Sequence, residues 1–491
     1  MAKNILVVGD LILDRRVECT VSRLAPEAPV LVGRTTEDDA HIDEYTPGGA
    51  GQVAVSAAML GANTTLVVPT GAERLAGAVM FKAQKRIDAH AKQQGRDVWL
   101  DYDPVHVNSP FRVSTKTRYV EAATGRHLFR FDCEREQSEQ AELLLDGQVL
   151  LAAQSVIDDP DRAADTVILV DYDNGVFSDH AATIKFIASN SDYYIIAAPK
   201  PANAKAFTGA DCVVMNEAEL YQLYRDWGQH RQEIFYACKQ MMSVYNWKQI
   251  ICTRGSAGVA YFINKFGEMP AIVDARAVVD VSGAGDMVTA AYAVTGDVHS
   301  ANVAAGLFVR KPGMAPVTQE ELDAGLIEDK ICAPDEAIRR TAAHRNRGDG
   351  ITFTNGHFDL LHKGHMHLLR EAANVVLDTI NIYDRSPYFV VALNTDASAK
   401  RGKGDDRPFQ PLELRAKTIA QLPFVDVVTW FDEDTPESLV REIQPDVLVK
   451  GSSNASETIP GAEFVRQHGG EVLLVDEIED YSTTSALSHL S

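Results

Sequence analysis

The sequence predicts an α/β protein of two domains, each built on a parallel sheet with helices on both faces. Three observations carry this. Short apolar runs recur along the chain, at residues 5–10, 167–171, 194–197, 212–215 and 249–253, and again at 351–353, 389–393, 425–429, 447–449 and 472–475. The segments between them are long enough for helices, and that alternation is the signature of buried parallel strands. At 491 residues the chain is also too long for one ordinary core.

The composition excludes several classes. Hydrophobic residues make up 45% and charged residues 24%, the balance of a soluble globular protein. A formal net charge of -22 disfavours nucleic acid as a partner, which would require a basic stripe. No apolar run approaches the ~20 residues of a membrane span. The chain enters its first strand without the basic and apolar segments of a signal peptide. The six cysteines are scattered, with no CxxC pair, and are expected to be reduced in a cytoplasmic protein.

In chain order, the first strand ends in Gly9-Asp10, and Asp171, Asn216 and Thr253 end later ones. Ligands gather beyond the carboxyl ends of such strands, so together these residues suggest one site. Residues 17–45 change to short alternating pieces with Pro26 and Pro29, as expected for a small antiparallel flap. The cluster Pro47-Gly48-Gly49-Ala50-Gly51 precedes a helix pattern over residues 52–60 and can admit a ligand hydroxyl or phosphate against the backbone.

The strongest string of this half is Asp280-Val281-Ser282-Gly283-Ala284-Gly285-Asp286, followed by a helix of small residues. Gly283, Ala284 and Gly285 at a helix start form an anion hole of backbone N–H groups. Asp286 behind them can take the proton of an attacking hydroxyl. Residues 331–349 carry Pro334 and several arginines with little apolar periodicity and are expected to be a linker between domains 1–330 and 350–491.

In the second domain a strand runs into Phe-Thr-Asn-Gly-His-Phe-Asp-Leu-Leu-His-Lys-Gly-His, residues 353–365. The chain turns at Asn355-Gly356 and enters a helix near Leu360. His362 and His365 then lie on one face at the helix start, where N–H groups and partial positive charge already favour polyphosphate. Lys400, Arg401, Lys403 and Arg407 form a basic cluster after the next strand, Lys450 ends another, and Ser482-Thr483-Thr484 starts a final helix. Residues 377–387 are expected to be a surface loop.

These strings resemble two families. The first half is similar to the ribokinase-like sugar kinases of the phosphofructokinase B type, a doubly wound sheet with a small β flap. That resemblance assigns Asp14, Gly48 and Gly49 to sugar binding, with Gln52 and Asp171 in the same pocket. It assigns Asn216 and Glu219 to an N-x-x-E motif that organises Mg2+ indirectly, and Thr253 and Gly255 to the nucleotide. Gly283, Ala284 and Gly285 match the anion hole, Asp286 the catalytic base, and Asn302 a helix beside adenine. The second half resembles the Rossmann-like HxGH nucleotidyltransferases. There Asn355, Gly356, Phe358, Lys403, Arg407, Lys450, Ser482, Thr483 and Thr484 would contact the nucleotide, and His362 and His365 would stabilise charge on the transferring phosphate. HxGH also occurs in class I aminoacyl-tRNA synthetases, but no KMSKS-like string is present.

In full length the chain resembles the bifunctional heptose 7-phosphate kinase / heptose 1-phosphate adenylyltransferases of ADP-heptose synthesis. The flap string Ser22-Arg23-Leu24-Ala25-Pro26-Glu27-Ala28-Pro29-Val30 and the string Pro445-Asp446-Val447-Leu448-Val449-Lys450-Gly451 carry that likeness. It implies ATP as substrate of both reactions, Mg2+, and sugar phosphates as the other ligands. Flaps of this kind often pair between subunits in related kinases, so a homodimer is expected. The departures are Gln52 for an asparagine, Asn174 for a lysine and Ala198 for an aspartate; they leave another sugar, or a kinase half retired to a scaffold, as alternatives.

Overall fold

The computed structural model describes residues 2–35, 45–71, 74–106, 111–134, 147–162, 164–226, 233–263, 266–269, 271, 277–379, 386–452 and 459–476. The chain divides into two compact units, Met1–Asp323 and Ala324–Ser491.

The first unit runs through β1 (Asn4–Gly9), β2 (Leu11–Leu24), β3 (Leu31–Thr35), β4 (Tyr45–Gly49), β5 (Asn63–Thr70), β6 (Leu100–His106), β7 (Ser114–Glu121) and β8 (His127–Cys133). It continues through β9 (Thr166–Val170), β10 (Tyr194–Ala198), β11 (Cys212–Asn216), β12 (Gln249–Thr253), β13 (Val259–Phe262) and β14 (Phe266–Met269). The main sheet has the order β14-β13-β12-β11-β10-β9-β1-β5-β6. Strands β12 through β6 in that order are parallel, and β13 and β14 add an antiparallel edge. The expected apolar runs are its core: Leu6, Val7, Ile168, Leu169, Ile196 and Ile251 are all but completely buried. This alignment brings Asp10, Asp171, Asn216 and Thr253 to one edge, as the sequence predicts.

The flap is larger than expected. Strand β2 pairs with β3 and β4 antiparallel but with β7 parallel, and β8 completes the layer. Strands β7 and β8 begin about 70 and 80 residues beyond the segment expected to form the flap, and a non-local pairing of this kind leaves no local pattern. Their presence sets Asp14 between Thr46 and Lys116.

The second unit holds β15 (Gly350–Gly356), β16 (Pro387–Asn394), β17 (Val427–Phe431), β18 (Val447–Gly451) and β19 (Glu471–Val475), all parallel in the order β17-β16-β15-β18-β19. The HxGH strand β15 is therefore central. Phe353, Val390 and Leu448 pack into one core layer and Phe389, Val391 and Val449 into the other, so the sheet is covered on both faces at its centre, while the edge strand β19 is half-exposed.

The expected linker is instead part of this unit. Pro334–Asn346 is a helix with Pro at its start, Asp335 and Glu336 in its first turn and His344 and Arg345 in its last. That arrangement suits the helix dipole. Ile331 bridges Val428, and Cys332 N–H donates to Val428 O at 3.0 Å. Only Ala337 and Thr341 of the helix are buried, which is why its apolar periodicity is so weak in the sequence. The expected loop at 377–387 is shortened by the helix Lys363–Thr379, while residues 380–385 lie outside the described residues. None of the six cysteines is in a disulfide, and only Cys133 is exposed. Among the described residues no helix is long and apolar enough to cross a membrane.

Candidate active sites

In the first unit a cavity of about 570 Å³ lies at the carboxyl edge of the main sheet. Asn216 and Thr253, paired neighbours at the ends of β11 and β12, form one wall, with Gly255 and Glu219 beside them. Gly283, Ala284, Gly285 and Asp286 form the opposite wall, and Asn302 and Gly306 come from the next helix. Asp171 also reaches it. All nine residues expected at the nucleotide and base positions of this half thus line one cavity, with Asp171 from the expected sugar pocket.

Gly283 caps the helix Ala284–Thr295 at φ 75, a left-handed conformation. A Cβ there would stand 2.7 Å from Met314 Cε. Gly283, Ala284 and Gly285 line the cavity at the end of that helix whose first N–H groups have no helical acceptor, although Ala284 N–H reaches Val281 O at 3.3 Å. Asn216 and Glu219 cap each other: Asn216 N–H donates to Glu219 Oε2 at 3.0 Å, and Glu219 N–H to Asn216 Oδ1 at 2.9 Å. Glu219 Oε1 also pairs with Lys200 Nζ at 2.6 Å.

Asp286 is buried, and burial pushes its carboxyl up to about 7, while the hydroxyl of Tyr172 and the charge of Lys200 pull it back. Tyr172 O–H lies 2.9 Å from both carboxylate oxygens of Asp286. The sequence reading passed over this residue, although Asp171 beside it was singled out. Asp171 itself accepts from the N–H groups of Lys200 and Asp173, both at 2.9 Å, and from Asn203 Nδ2 at 3.2 Å. Its oxygens hold the loop that carries Tyr172. Asp10 behaves likewise, accepting from Tyr172 N–H at 2.8 Å. Burial pushes Asp10 to about 7 and Asp171 to about 6.

On the flap side, Asp14 is buried and ion-paired with Arg118. A Cβ on Gly48 would fall 2.0 Å from Asp14 Oδ2, and one on Gly49 2.5 Å from Asp10 O and 3.3 Å from the Tyr172 ring. The glycine pair is therefore needed for close approach of these groups. Gln52 donates to Ser56 Oγ at 3.0 Å, and its Cγ lies 3.6 Å from where a Gly283 Cβ would be, beside the anion hole. Asn174 accepts from Ser114 Oγ at 2.8 Å and brings no positive charge where a lysine was expected.

In the second unit the helix begins at Lys363, so His362 stands just before it and His365 in its first turn. Their rings stack with centroids 3.7 Å apart, and Phe358 meets His365 edge-on at 5.2 Å. His365 Nδ1 lies 3.2 Å from Leu360 O; a carbonyl only accepts, so Nδ1 carries the proton and Nε2 faces away as a lone pair. Burial, aided by His362, lowers His365 to about 4. Lys450 Nζ donates to Asn355 O at 3.1 Å and to Asn355 Oδ1 at 2.8 Å, and burial lowers it to about 8.

The basic cluster divides, and it stands largely on a helix, Asp396–Lys403, rather than on a loop. Arg401 turns outward to Asp434 at 2.8 Å. Arg407 pairs with Asp359 at 3.1 Å, and Asp359 also accepts from the N–H groups of Phe409 and Gln410 at 2.9 and 2.8 Å. Arg407 thus ties the loop 404–411 to the HxGH string. Lys403 lies near His357, which burial and the positive charges of Lys403, Arg415 and Lys450 hold down at about 4. The sequence reading missed Arg415, which is completely buried. It donates to His357 O at 2.8 Å, Gln410 O at 3.0 Å, Asn394 O at 2.9 Å and Asp396 Oδ1 at 2.7 Å, clamping three loops at the carboxyl edge. Ser482, Thr483 and Thr484 lie outside the described residues.

Comparison with known proteins gives the class. The pfkB family carbohydrate kinase model matches residues 116–312, and a cytidylyltransferase-like model matches residues 353–484. Solved structures similar to the chain include ribokinase from Thermotoga maritima (19% identity, TM-score 0.47, 66% of this chain and 99% of that one). Phosphofructokinase-2 from Escherichia coli is another (14% identity, TM-score 0.49, 66% and 98%). The molecule is a sugar kinase joined to a nucleotidyltransferase. It is 35% identical to bifunctional protein HldE of Rhodopseudomonas palustris strain HaA2, over 98% of this chain and 95% of that protein. It is also 35% identical to that of Caulobacter sp. strain K31, over 99% and 96%. The chain belongs to the bifunctional HldE family.

Proposed function

We propose that the enzyme phosphorylates heptose 7-phosphate at its anomeric hydroxyl with ATP and, in the second unit, transfers AMP from ATP to heptose 1-phosphate with release of pyrophosphate. The meeting of Asp286 with the glycine anion hole and the N-x-x-E pair in one cavity carries the kinase half of this reading. Asp286 accepts the hydroxyl proton while the sugar oxygen bonds to the γ-phosphorus and the bond to the ADP oxygen breaks. The N–H groups of residues 283–285 stabilise the charge that develops. Oxygen donors at Glu219 and Asn216 suit a hard cation that keeps several waters, so Mg2+ would sit beside ATP with Glu219 reaching it through water. When bound, it would supply positive charge at the transferring phosphate.

In the second unit the attacking group is a phosphate oxygen that is already ionised, so no base is required. His362, His365, Lys403 and Lys450 would stabilise the charge of the triphosphate, His365 by taking a proton on Nε2 as the anion offsets the cost of its burial. The absence of positive charge at Asn174 favours a second reading, in which the same chemistry acts on another sugar. The reactions place the enzyme in the cytoplasm, where ATP is available. The exposed Leu24, Val30, Leu31, Phe129 and Phe131 of the flap support a homodimer formed there.

The test is product analysis by mass spectrometry. With Mg-ATP and heptose 7-phosphate the bisphosphate is expected, lost in Asp286→Asn. With heptose 1-phosphate, ATP rather than CTP should yield pyrophosphate and the nucleotide sugar, lost in His365→Ala. Pyrophosphate without bisphosphate would overturn the heptose kinase assignment in favour of another sugar.

A further inference from the structure

We propose that Tyr172 is a positioning residue for the kinase reaction, holding the Asp286 carboxylate ionised and oriented toward the sugar. This rests on Asp286 being the base. The phenol oxygen lies 2.9 Å from each carboxylate oxygen, so its proton can be donated to either. A carboxylate has about four lone-pair sites, which leaves room for the substrate hydroxyl. When Asp286 takes the hydroxyl proton, that O–H bond breaks as the oxygen bonds to phosphorus, and Tyr172 keeps its bond to the other oxygen.

The surroundings are built to hold the phenol in place. Asp10 accepts the backbone N–H of Tyr172 at 2.8 Å and that of Asn174 at 3.2 Å. Gly49 has no side chain to strike the ring. Lys200 and Lys116 lie over the ring with Nζ at 4.7 and 5.4 Å from its centroid, the cation–π arrangement. Burial and the charge of Asp286 raise the phenol well above its ordinary range, so it remains a donor. The other charged groups facing Asp286 are Lys200 and Lys116, which favour its ionised form, and Asp14, which opposes it. Lys200 is itself paired with Glu219, Lys116 with Glu134 and Asp14 with Arg118. Tyr172 is the group in direct contact with the carboxylate.

The experiment compares Tyr172→Phe with the parent and with Asp286→Asn. Phenylalanine keeps the ring and its packing and removes only the hydroxyl. The pH dependence of the kinase kcat is measured with the sugar phosphate that the enzyme accepts, together with the KM for ATP. In parallel, the infrared band of the protonated carboxyl is titrated in the full chain, the Asp286 contribution being the part missing from Asp286→Asn. The expected result is an acid limb and an infrared midpoint both moved up by about one pH unit in Tyr172→Phe. At high pH kcat would recover, and the KM for ATP would be unchanged. An unmoved infrared midpoint, or a pH-independent loss of kcat, would overturn the role of Tyr172. Kinase activity surviving in Asp286→Asn would instead overturn the base assignment, while the infrared titration still reads the hydrogen bond itself.

Discussion

The two sites of this chain use burial in opposite directions. In the kinase unit burial pushes carboxyls up, Asp10 and Asp286 to about 7 and Asp171 to about 6. In the transferase unit it pushes basic groups down, His357 and His365 to about 4 and Lys450 to about 8. Both shifts follow from the cost of charge away from water. The chemistry explains the choice of residues. A sugar hydroxyl must lose a proton to attack, so the first site needs an acceptor poised near neutrality. A sugar phosphate attacks as an anion, so the second needs only groups that position and neutralise oxygens. On the proposed reactions a nucleoside triphosphate enters each, yet only one needs a base.

The largest expected effects separate the two sites. Asp286→Asn should lower the kinase rate about 100- to 10,000-fold while pyrophosphate release is unchanged. His365→Ala should lower pyrophosphate release about 100- to 1,000-fold while the kinase rate is unchanged. Product assays on each variant check both, and a variant that lost both activities would show that the sites are not chemically independent.

Next in size is Arg415→Met. This arginine is completely buried and satisfies three carbonyls and Asp396. Its removal leaves those acceptors without a donor, and should destabilise the second unit by about 2–4 kcal/mol. Calorimetry should show the transition of that unit moving down and that of the first unit unmoved. Nucleotidyl transfer should fall as well, because the clamp holds the backbone of His357. Stability unchanged from the parent would mean that water replaces the guanidinium without cost.

Much of this was legible in the sequence because it is local. Apolar runs ending in Asp10, Asn216 or Thr253 predict strand ends and so a shared edge, and strings such as those around Asp286 and His365 carry their geometry with them. What failed to show was set by partners distant in the chain. Arg415 reads as a solvated helix residue until three loops converge on it. Tyr172 lies just past the run at 167–171, and only the fold brings it against Asp286. Lys450 reads as a free cation, but its neighbour across the sheet is Asn355. Arg407 is expected at the nucleotide from its string, and its ion pair with Asp359 is visible only in the fold. The flap strands β7 and β8 and the helix Pro334–Asn346 were missed for the same reason: each is held by pairing or packing with residues far away rather than by its own pattern.

The smallest expected effect tests the opposed directions of burial through stability. Asp286 is raised from its ordinary value near 3.8 to about 7 in the folded state. Its contribution to stability is therefore fully present below about pH 3.8 and is lost as pH rises through about 7. Asparagine in its place resembles the protonated acid at every pH. Asp286→Asn should thus stabilise the first unit relative to the parent at pH 8, and by about 2 kcal/mol less at pH 5. For His365 the sign reverses. Lowered from 6.5 to about 4, it contributes stability above pH 6.5 that is lost as pH falls through about 4. His365→Gln should therefore improve on the parent as the pH is lowered from 7 to 5, by a comparable amount and in the second unit only. Calorimetry of the two variants and the parent at these pH values reads both signs. If the two differences ran the same way with pH, a common acid denaturation rather than the burial of each site would be setting them. The contrast between a site that strains to keep a negative charge and one that strains to shed positive charge would then fail.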